Sequence, residues 1–408
     1  MTALPRLDTR VVDAARRILS DVEHCTDPVA TARLLPREVY TSEDFWEFEK
    51  HAVFGREWLC VAHVGEVPEP GDQLPLTVLD EPVVLVRDLG GEVRVLSAVC
   101  QHRGHPLFDG VGGAPTGCVR GRRMVCPYHN WQYELDGRLV AAPSMTETVP
   151  VRTLRETVAL PEVRSEIFHG LVFVTLDPEA PPLRAGLRKL DEELQTWGLD
   201  ELVPMPWDLR TGLGWNWKLH HDNALEPYHT AYVHRGVHEA APAKNARFGV
   251  FDDDDGVVMH PTYLRDKDSG LASADGKRTS PIIPGLTEEQ RSRVLFASVP
   301  PLLFGIFQPT MVSLSILLPT AAGSLDLRRI NLYPKSAVEA DGFDEVYRIY
   351  QERKAVAIRQ DAETTEALQR GMSSRFAPRG PLSWMEGNIP HLSTWLLRRY
   401  RRALEELT

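Results

Sequence analysis

The chain has little of the features that point to a membrane, a secretory route or nucleic acid. Its 408 residues contain no apolar run approaching the roughly 20 residues of a membrane span. The segment Met1–Arg6 lacks the basic and then apolar character of a signal peptide. The net charge of −11 disfavours nucleic acid, and no polybasic segment favours a membrane surface. We therefore expect a cytoplasmic protein with neither nucleic acid nor membrane as partner.

Cysteine is also scarce, and this excludes a disulfide framework. Five cysteines occur, at positions 25, 60, 100, 118 and 126. Two of them belong to the motif described next, and the other three are an odd number without framework spacing. They are expected to be reduced thiols, as in a reducing compartment. Hydrophobic residues make up 43% and charged residues 25%, which is typical of an ordinary globular protein of two or three domains.

The most informative stretch pairs a cysteine with a histidine twice. One residue separates Cys100 from His102, and two residues separate Cys126 from His129. Two thiolates and two imidazoles suit a structural zinc or a Rieske-type [2Fe–2S] cluster, in which histidines replace two cysteines on one iron. Zinc sites usually place both cysteines on one knuckle and both histidines on another. Because each arm here carries one of each, the spacing favours the cluster.

A second metal site is indicated by the segment 216–234. Glu226 and His229 are three residues apart, so they would share one face of a helix. His234 follows five residues after His229, which on a regular helix leaves it about 140° away. Both histidines can bind one ion only if the helix ends or bulges between them. Two histidines and one carboxylate form the facial triad of a non-haem Fe(II) oxygenase.

Asp361, in a predicted helix, is the expected source of that carboxylate. Read alone, it is equally well interpreted as an exposed helix charge, and Glu363 and Glu366 are weaker candidates for the same role. Neighbouring histidines are interpreted as hydrogen-bonded groups rather than ligands: His220, His221 and His238.

Hydrophobic periodicity divides the chain into regions of different predicted secondary structure. Helical spacing predicts helices over residues 8–20, 40–57, 183–194, 344–372 and 394–407. Short Val- and Leu-rich runs separated by turn residues predict an antiparallel β region from about residue 58 to 175. Residues 304–318 and 325–333 are predicted to be two long strands.

Taken together, these motifs resemble the α (catalytic) subunit of Rieske non-haem iron oxygenases, the aromatic-ring-hydroxylating dioxygenase family. The resemblance covers roughly residues 40–375. It implies an α+β fold with an all-β Rieske [2Fe-2S] domain over residues 41–175. A helix-grip-like catalytic domain with a curved antiparallel sheet would follow over residues 176–408, and a helical segment, residues 1–40, would pack on it.

The resemblance also implies roles for individual residues. It implies that the cluster is held by Cys100, His102, Cys126 and His129, and that Fe(II) is held by His229, His234 and Asp361. Glu226 would link a cluster histidine of one subunit to an iron histidine of the next, and Asn223 would lie close to the iron. Gln360 departs from the family pattern, in which an acidic residue often precedes the ligand aspartate.

The implied activity is that of an oxygenase component in a multicomponent Rieske system. It would use O2, with NAD(P)H electrons delivered by a separate reductase or ferredoxin, to hydroxylate, dihydroxylate or oxidatively demethylate a small organic substrate. A homotrimer is expected, and a Rieske electron-transfer protein without oxygenase activity is the alternative. The N-terminal layout resembles the branch that oxidises quaternary amines. By contrast, the expected apolar lining favours an aromatic substrate: Leu225, Val233, Phe304, Phe307 and Met311.

Overall fold

A computed structural model describes residues 7–109, 117–234, 239–249, 256–271 and 280–407. The chain divides into two compact units, one of residues 60–178 and one that combines residues 1–59 with residues 179–408. The larger unit combines helices with an antiparallel sheet, and the described part of the smaller unit is mainly antiparallel strands with one short α-helix, Val151–Thr157, so the predicted α+β class is confirmed. Within the described ranges, no helix combines the length and the apolar character needed to cross a membrane.

The α-helices of the described residues are α1 (Thr9–Leu19), α2 (Glu38–Thr41), α3 (Glu43–Glu49), α4 (Val151–Thr157), α5 (Leu183–Gly186), α6 (Arg188–Leu194), α7 (Trp217–Ala224), α8 (Thr230–Val233), α9 (Lys335–Val338), α10 (Phe343–Met372) and α11 (Asn388–Glu406). A π-helix, Lys50–Phe54, continues α3. The strands are β1 (Leu59–His63), β2 (Asp72–Val78), β3 (Glu81–Arg87), β4 (Val93–Ser97), β5 (Val119–Arg120), β6 (Met124–Val125), β7 (Gln132–Tyr133), β8 (Leu139–Ala141), β9 (Ser165–Phe168), β10 (Leu171–Val174), β11 (Val203–Pro204), β12 (Asp208–Leu213), β13 (Val258–Tyr263), β14 (Arg293–Val299), β15 (Leu303–Gln308), β16 (Met311–Ala321) and β17 (Ser324–Tyr333).

The described residues of the smaller unit form three small sheets. Their strand orders are β1-β10-β9, β4-β3-β2-β5 and β6-β7-β8. The third sheet contains a hairpin, in which β7 and β8 run antiparallel on either side of Gly137. Cys100, Cys126 and Tyr133 are part of its buried core, so the motif residues are held from within the unit.

The larger unit contains a seven-stranded antiparallel sheet. Its order is β11-β17-β16-β15-β14-β13, and β12 also pairs with β17. Helix α10 begins against this sheet, where Phe343 and Tyr347 pack on Tyr333 of β17. The predicted strand 304–318 is in fact two strands, because Pro309 and Thr310 form a turn between β15 and β16. Proline cannot donate to a ladder, so it interrupts the run there.

Residues 41–59 belong to the larger unit, although the predicted cluster domain began at residue 41. Ser42 follows the last residue of α2 and is the N-cap of α3. Its hydroxyl oxygen accepts a hydrogen bond from the Phe45 N–H at 3.3 Å. Phe45 then packs edge-on against Tyr400 of α11, with ring centroids 5.1 Å apart. The apolar face of α3 therefore packs against α11, the C-terminal helix.

A buried ion pair joins α3 to α7, and its loss is expected to be costly. The Lys218 ammonium donates to both carboxylate oxygens of Glu49 at 2.8 and 2.7 Å, and both side chains are at most 1% exposed. Lys218→Met would leave the Glu49 carboxylate buried without its cation. We expect the free energy of unfolding of the larger unit, measured by urea titration, to fall by about 3–5 kcal/mol.

The matched control for this change is Lys335→Met, since Lys335 is exposed and its contact with Glu339 spans 3.6 Å. An exposed pair contributes about 0–1 kcal/mol. Equal destabilisation by the two variants would contradict the assigned importance of the buried pair.

Candidate metal centres and the adjoining cavity

Two loops of the smaller unit share one backbone pattern. In each, the carbonyl of the cysteine accepts a hydrogen bond from the N–H four residues later, which is Gly104 after Cys100 and Asn130 after Cys126. The cysteine N–H in turn donates to the carbonyl five residues on. Gly104 and Asn130 both have left-handed backbones, with φ of 77° and 58°. The left-handed turn at Asn130 was not predicted from the sequence.

These loops bring the four predicted cluster residues together. The rings of His102 and His129 have centroids 4.7 Å apart, and His102 stacks on Trp131 at an interplanar angle of 11°. Cys100 and Cys126 are buried free thiols, and all five cysteines of the chain are free. Burial raises the pKa of the Cys100 thiol, and the neighbouring Cys126 adds to this, whereas a hydrogen bond with Tyr133 opposes it.

This arrangement fits a [2Fe–2S] cluster bound by two sulfurs and two nitrogens. His102 Nδ1 is buried and has no hydrogen-bond partner among the described residues, so a nitrogen with acceptor capacity is available at the site. The Tyr133 hydroxyl lies 3.3 Å from Cys100 Sγ and could donate to a thiolate there. Hydrogen bonds to cluster sulfurs tune the reduction potential. Tyr133 carried no signal in the sequence beyond its position in a strand.

In the larger unit, the helix that precedes the histidines ends before it reaches Glu226. Helix α7 finishes at Ala224, a turn at Pro227 follows, and α8 begins at Thr230. Glu226 and His229 are therefore neighbours in a turn rather than on one face of a continuous helix. His234 lies just beyond α8, with φ of −100° and ψ of 41°. Because α8 ends at Val233, the helix end that the five-residue spacing required lies between His229 and His234.

The two histidines and Asp361 of α10 meet at one point. One donor atom from each of His229, His234 and Asp361 lies within 4.8 Å of the other two. Asp361 Oδ1 is 2.9 Å from His234 Nε2 and 3.6 Å from His229 Nε2. Two imidazoles and one carboxylate are the donor set of a non-haem Fe(II) facial triad, which leaves positions open for other ligands. Glu363, by contrast, is exposed.

Each side chain of this triad is held by a second residue. His229 Nδ1 donates to Glu226 Oε1 at 2.6 Å, and His234 Nδ1 donates to Gln360 Oε1 at 3.0 Å. Both rings therefore direct Nε2 toward Asp361, whose Oδ1 accepts from Asn223 Nδ2 at 3.1 Å. Gln360, which departs from the family pattern, thus orients the His234 ring, a role that the sequence did not indicate.

His234 and Asp361 stabilise each other's charged forms. Burial opposes charge on both His234 and Asp361, yet their mutual hydrogen bond and attraction raise the pKa of His234 and lower the pKa of Asp361. The nearby histidines behave differently. Burial lowers the pKa of His220 to about 3 and that of His221 to about 4, so both are neutral. His238 lies outside the described residues.

A cavity of about 170 Å³ adjoins the triad and lies between the sheet and α10. Residues spaced by two along each strand line it, because alternate side chains share a face: His260 and Thr262 of β13, Phe304 and Ile306 of β15, Ser313 and Ser315 of β16, and Leu327 and Arg329 of β17. Helix α10 contributes residues at helical spacing: Tyr350, Lys354, Ala357, Ile358, Asp361 and Thr365.

Of the apolar residues predicted to line the substrate site, Phe304 does so. Phe307 points to the other face of β15 and packs edge-on against Trp197, with centroids 5.4 Å apart. Met311 packs in a core cluster with Tyr333. The remaining two, Leu225 and Val233, are not among the cavity residues either. The prediction was wrong for these four because it treated neighbours in sequence as neighbours in the cavity.

Known proteins resemble the chain in both units. Carnitine monooxygenase oxygenase subunit of Acinetobacter pittii is 32% identical over 215 residues, which are 52% of this chain and 56% of that protein. The biphenyl 2,3-dioxygenase subunit alpha of Rhodococcus jostii is 35% identical over 153 residues, 38% of this chain and 32% of that protein. The chain thus spans about half, or less, of the length of these curated relatives.

A solved quaternary ammonium Rieske monooxygenase shares the fold, with a TM-score of 0.75 at 23% identity over 93% of this chain and 98% of that chain. Residues 57–159 match the family model of the Rieske [2Fe-2S] domain. Residues 192–402 match the model described as ring hydroxylating alpha subunit (catalytic domain). Since the second match alone covers more than half of the 408 residues, the chain belongs to the ring-hydroxylating alpha subunit family and carries its Rieske domain ahead of the catalytic domain.

Proposed function

We propose that this protein is the oxygenase component of a multicomponent Rieske system. It takes electrons from a reductase or ferredoxin, and so indirectly from NAD(P)H, and uses O2 to hydroxylate, dihydroxylate or oxidatively demethylate a small organic substrate. The observation that carries the proposal is the convergence of His229, His234 and Asp361 on a largely apolar cavity. A protein that only transferred electrons would have no use for a triad beside such a cavity.

The cofactors of this family are a Rieske [2Fe-2S] cluster and a mononuclear iron. When bound, the cluster supplies electrons and the iron activates O2. We assign the cluster to Cys100, His102, Cys126 and His129, and the iron to His229, His234 and Asp361. The chain's own contribution is to fix the geometry of these groups before the reaction.

The residues around the triad have distinct parts in this proposal. The Glu226 carboxylate holds the Nδ1 proton of His229, which keeps Nε2 free to bind the iron. Asn223 donates to Asp361 Oδ1 and so limits rotation of that carboxylate. Phe304 and Ile306 keep bulk water from the space where the substrate would lie.

Relatives suggest the range of substrates. One acts as a carnitine monooxygenase and another as a biphenyl 2,3-dioxygenase. The cavity of about 170 Å³ is close in size to an engineered cavity of about 150 Å³ that holds benzene. We infer a substrate of one ring or of a comparably short chain, either aromatic or a quaternary amine.

Five free cysteines are consistent with a cytoplasmic location.

The test is anaerobic reconstitution followed by spectroscopy and turnover. Reduced protein is expected to give the anisotropic resonance of a Rieske centre, and a second iron should be bound per chain. Product should form only with O2, an electron donor and substrate together. A colourless protein with stoichiometric zinc, or a single kind of metal environment, would refute the proposal.

We further propose a homotrimer in which the electron passes from one subunit to the next. The solved quaternary ammonium monooxygenase is described with inter-subunit electron transfer, which supports this proposal. Co-expressed chains carrying Cys100→Ser or His234→Ala, each inactive alone, should form mixed oligomers that recover part of the wild-type activity. If mixing recovers no activity although mixed oligomers form, electron transfer between subunits is wrong.

A further inference from the structure

The end of the cavity away from the triad is basic. Arg210 of β12, Arg329 of β17, and Arg353 and Lys354 of α10 line it. Arg329 is 6% exposed, so its charge is largely withdrawn from water. Four cationic side chains therefore share a part of one small cavity whose other walls are mainly apolar.

The carboxylates nearby are too few to balance these charges. Asp208 Oδ2 accepts from Arg329 Nη2 at 3.1 Å and from Arg210 Nε at 3.2 Å, so one carboxylate serves two arginines. Asp208 is itself 57% exposed as a side chain, which weakens its effect. The other carboxylates that line the cavity, Glu226 and Asp361, are engaged with the histidines of the triad.

Lys354 illustrates the imbalance most clearly. Its ammonium donates to Ser313 Oγ at 2.5 Å and to Asn331 Oδ1 at 2.6 Å, and both acceptors are uncharged. An ammonium group has three protons, so one remains beyond these two acceptors; the Tyr350 ring adds a weak contact, with its centroid 5.6 Å from the ammonium nitrogen. A lysine with a purely structural role would be expected to pair with a carboxylate, because a partly buried charge is unfavourable without one.

Lys354 and Asp361 lie on one helix, seven residues apart. At the rise of an α-helix, their backbones are separated by roughly 10 Å along its axis. Ala357 and Ile358 lie between them on the same face and line the cavity. A molecule placed here meets the metal ligands at one end, apolar side chains in the middle and cations at the other end.

We propose that the substrate carries an anionic group, a carboxylate or sulfonate, that binds Lys354 and Arg329 while its reacting carbon faces the triad. This inference rests on the proposed function and specifies its substrate class. The anion supplies the missing countercharge, and the arginine fork and the ammonium give it directed, charge-assisted hydrogen bonds. Aromatic acids and carboxylated quaternary amines both satisfy this description.

The first test compares matched ligands that differ in the anionic group. The iron-loaded protein is titrated calorimetrically without O2, using benzoate against benzamide and glycine betaine against choline. We expect the carboxylate of at least one pair to bind ten-fold or more tightly than its partner. Equal affinities within both pairs, or no binding of either carboxylate, overturn the proposal.

The second test removes the cation. Lys354→Met is expected to weaken binding of the preferred carboxylate by roughly 10- to 100-fold, the effect of losing a hydrogen bond to a charged group. Its uncharged partner should bind within about two-fold of wild type. Lys335→Met, on exposed α9, is the control and should change neither affinity. Equal loss for charged and uncharged ligands, with unchanged iron content and circular dichroism, also overturns the proposal.

A third measurement uses the wild-type protein alone, in case the variant folds poorly. Burial and, to a lesser extent, Arg329 and Arg210 lower the pKa of Lys354 to about 7, although Asp208 opposes this. The Tyr350 hydroxyl, which also lines this end, has its pKa raised by burial and stays neutral. A bound anion would raise the pKa of Lys354, so binding above pH 7 should take up protons.

Calorimetry at pH 8 in buffers of different ionisation enthalpy measures this uptake. Uptake with the carboxylate and none with its uncharged partner supports the proposal, and no uptake with either contradicts it. Because these tests need no turnover, they separate the two claims. If the substrate class is wrong, the oxygenase still forms product, whereas an incorrect oxygenase assignment appears as absence of the second iron or of O2-dependent product.

Discussion

Asp361→Ala is expected to abolish substrate oxidation while leaving the Rieske resonance unchanged. The carboxylate is the single anionic donor of the triad, and its oxygen lies 2.9 and 3.6 Å from the two histidine nitrogens. Removing it leaves two neutral imidazoles, a poorer site for Fe(II). The fall in kcat should exceed the roughly 10- to 100-fold that loss of an outer hydrogen-bond partner costs. Turnover, iron content and the resonance of the reduced cluster are measured on the same preparation.

Glu363→Ala is the matched control for this variant. Glu363 is an acidic residue two positions further along α10, but its side chain is exposed. The Glu363→Ala variant should therefore retain both metals and turn over substrate at a near wild-type rate. If the Glu363 variant lost iron and the Asp361 variant kept it, the assignment of the third ligand would be wrong.

Glu226→Ala is expected to retain both metals but to slow coupled turnover by about 10- to 100-fold. The carboxylate holds His229 twice, by accepting from Nδ1 at 2.6 Å and from the backbone N–H at 3.0 Å. Without it the ring can rotate and its tautomer is no longer fixed. Reduction of the cluster by the electron donor should proceed normally, while transfer of that electron into substrate oxidation should be slow.

Glu226→Gln separates the two contributions of this residue. The amide oxygen can still accept from His229 Nδ1, but the negative charge is lost. Turnover close to wild type in the Gln variant would mean that positioning dominates, and a defect equal to that of Ala would mean that the charge is needed. Substrate oxidation by the Ala variant at the native rate would show that Glu226 has no part in coupling.

Local sequence spacing predicted those parts of the sites that depend on neighbouring residues. The cysteine–histidine spacing identified the four residues around the cluster loops, and the five-residue step from His229 to His234 required a helix break. The structure has this break at the end of α8, because His234 lies beyond the last helical residue, Val233. Helix α10 and strand β17 also agree closely with the predicted ranges, because their hydrophobic periods are long and regular.

Features that depend on distant residues were not predictable in the same way. Gln360 departs from the family pattern, and its role is visible only in the structure, where its side-chain oxygen lies 3.0 Å from Nδ1 of His234, 126 positions away in sequence. Whether Phe304 or Phe307 faces the cavity is decided by the register of β15 against its neighbours. The structure groups residues 41–59 with the larger unit because α3 packs on α11, at the other end of the chain.

Helix α10 carries both Asp361 and Lys354 on one continuous rod of thirty residues. If the acid group of a substrate binds Lys354, the helix fixes the distance between that acid group and the carbon that is oxidised. Regiochemistry would then be encoded in the number of turns between the two positions. Moving the cation to position 357 or 358 would shorten the distance between the cation and Asp361 by about one turn, roughly 5.4 Å. Oxidation would then occur at a carbon nearer to the acid group.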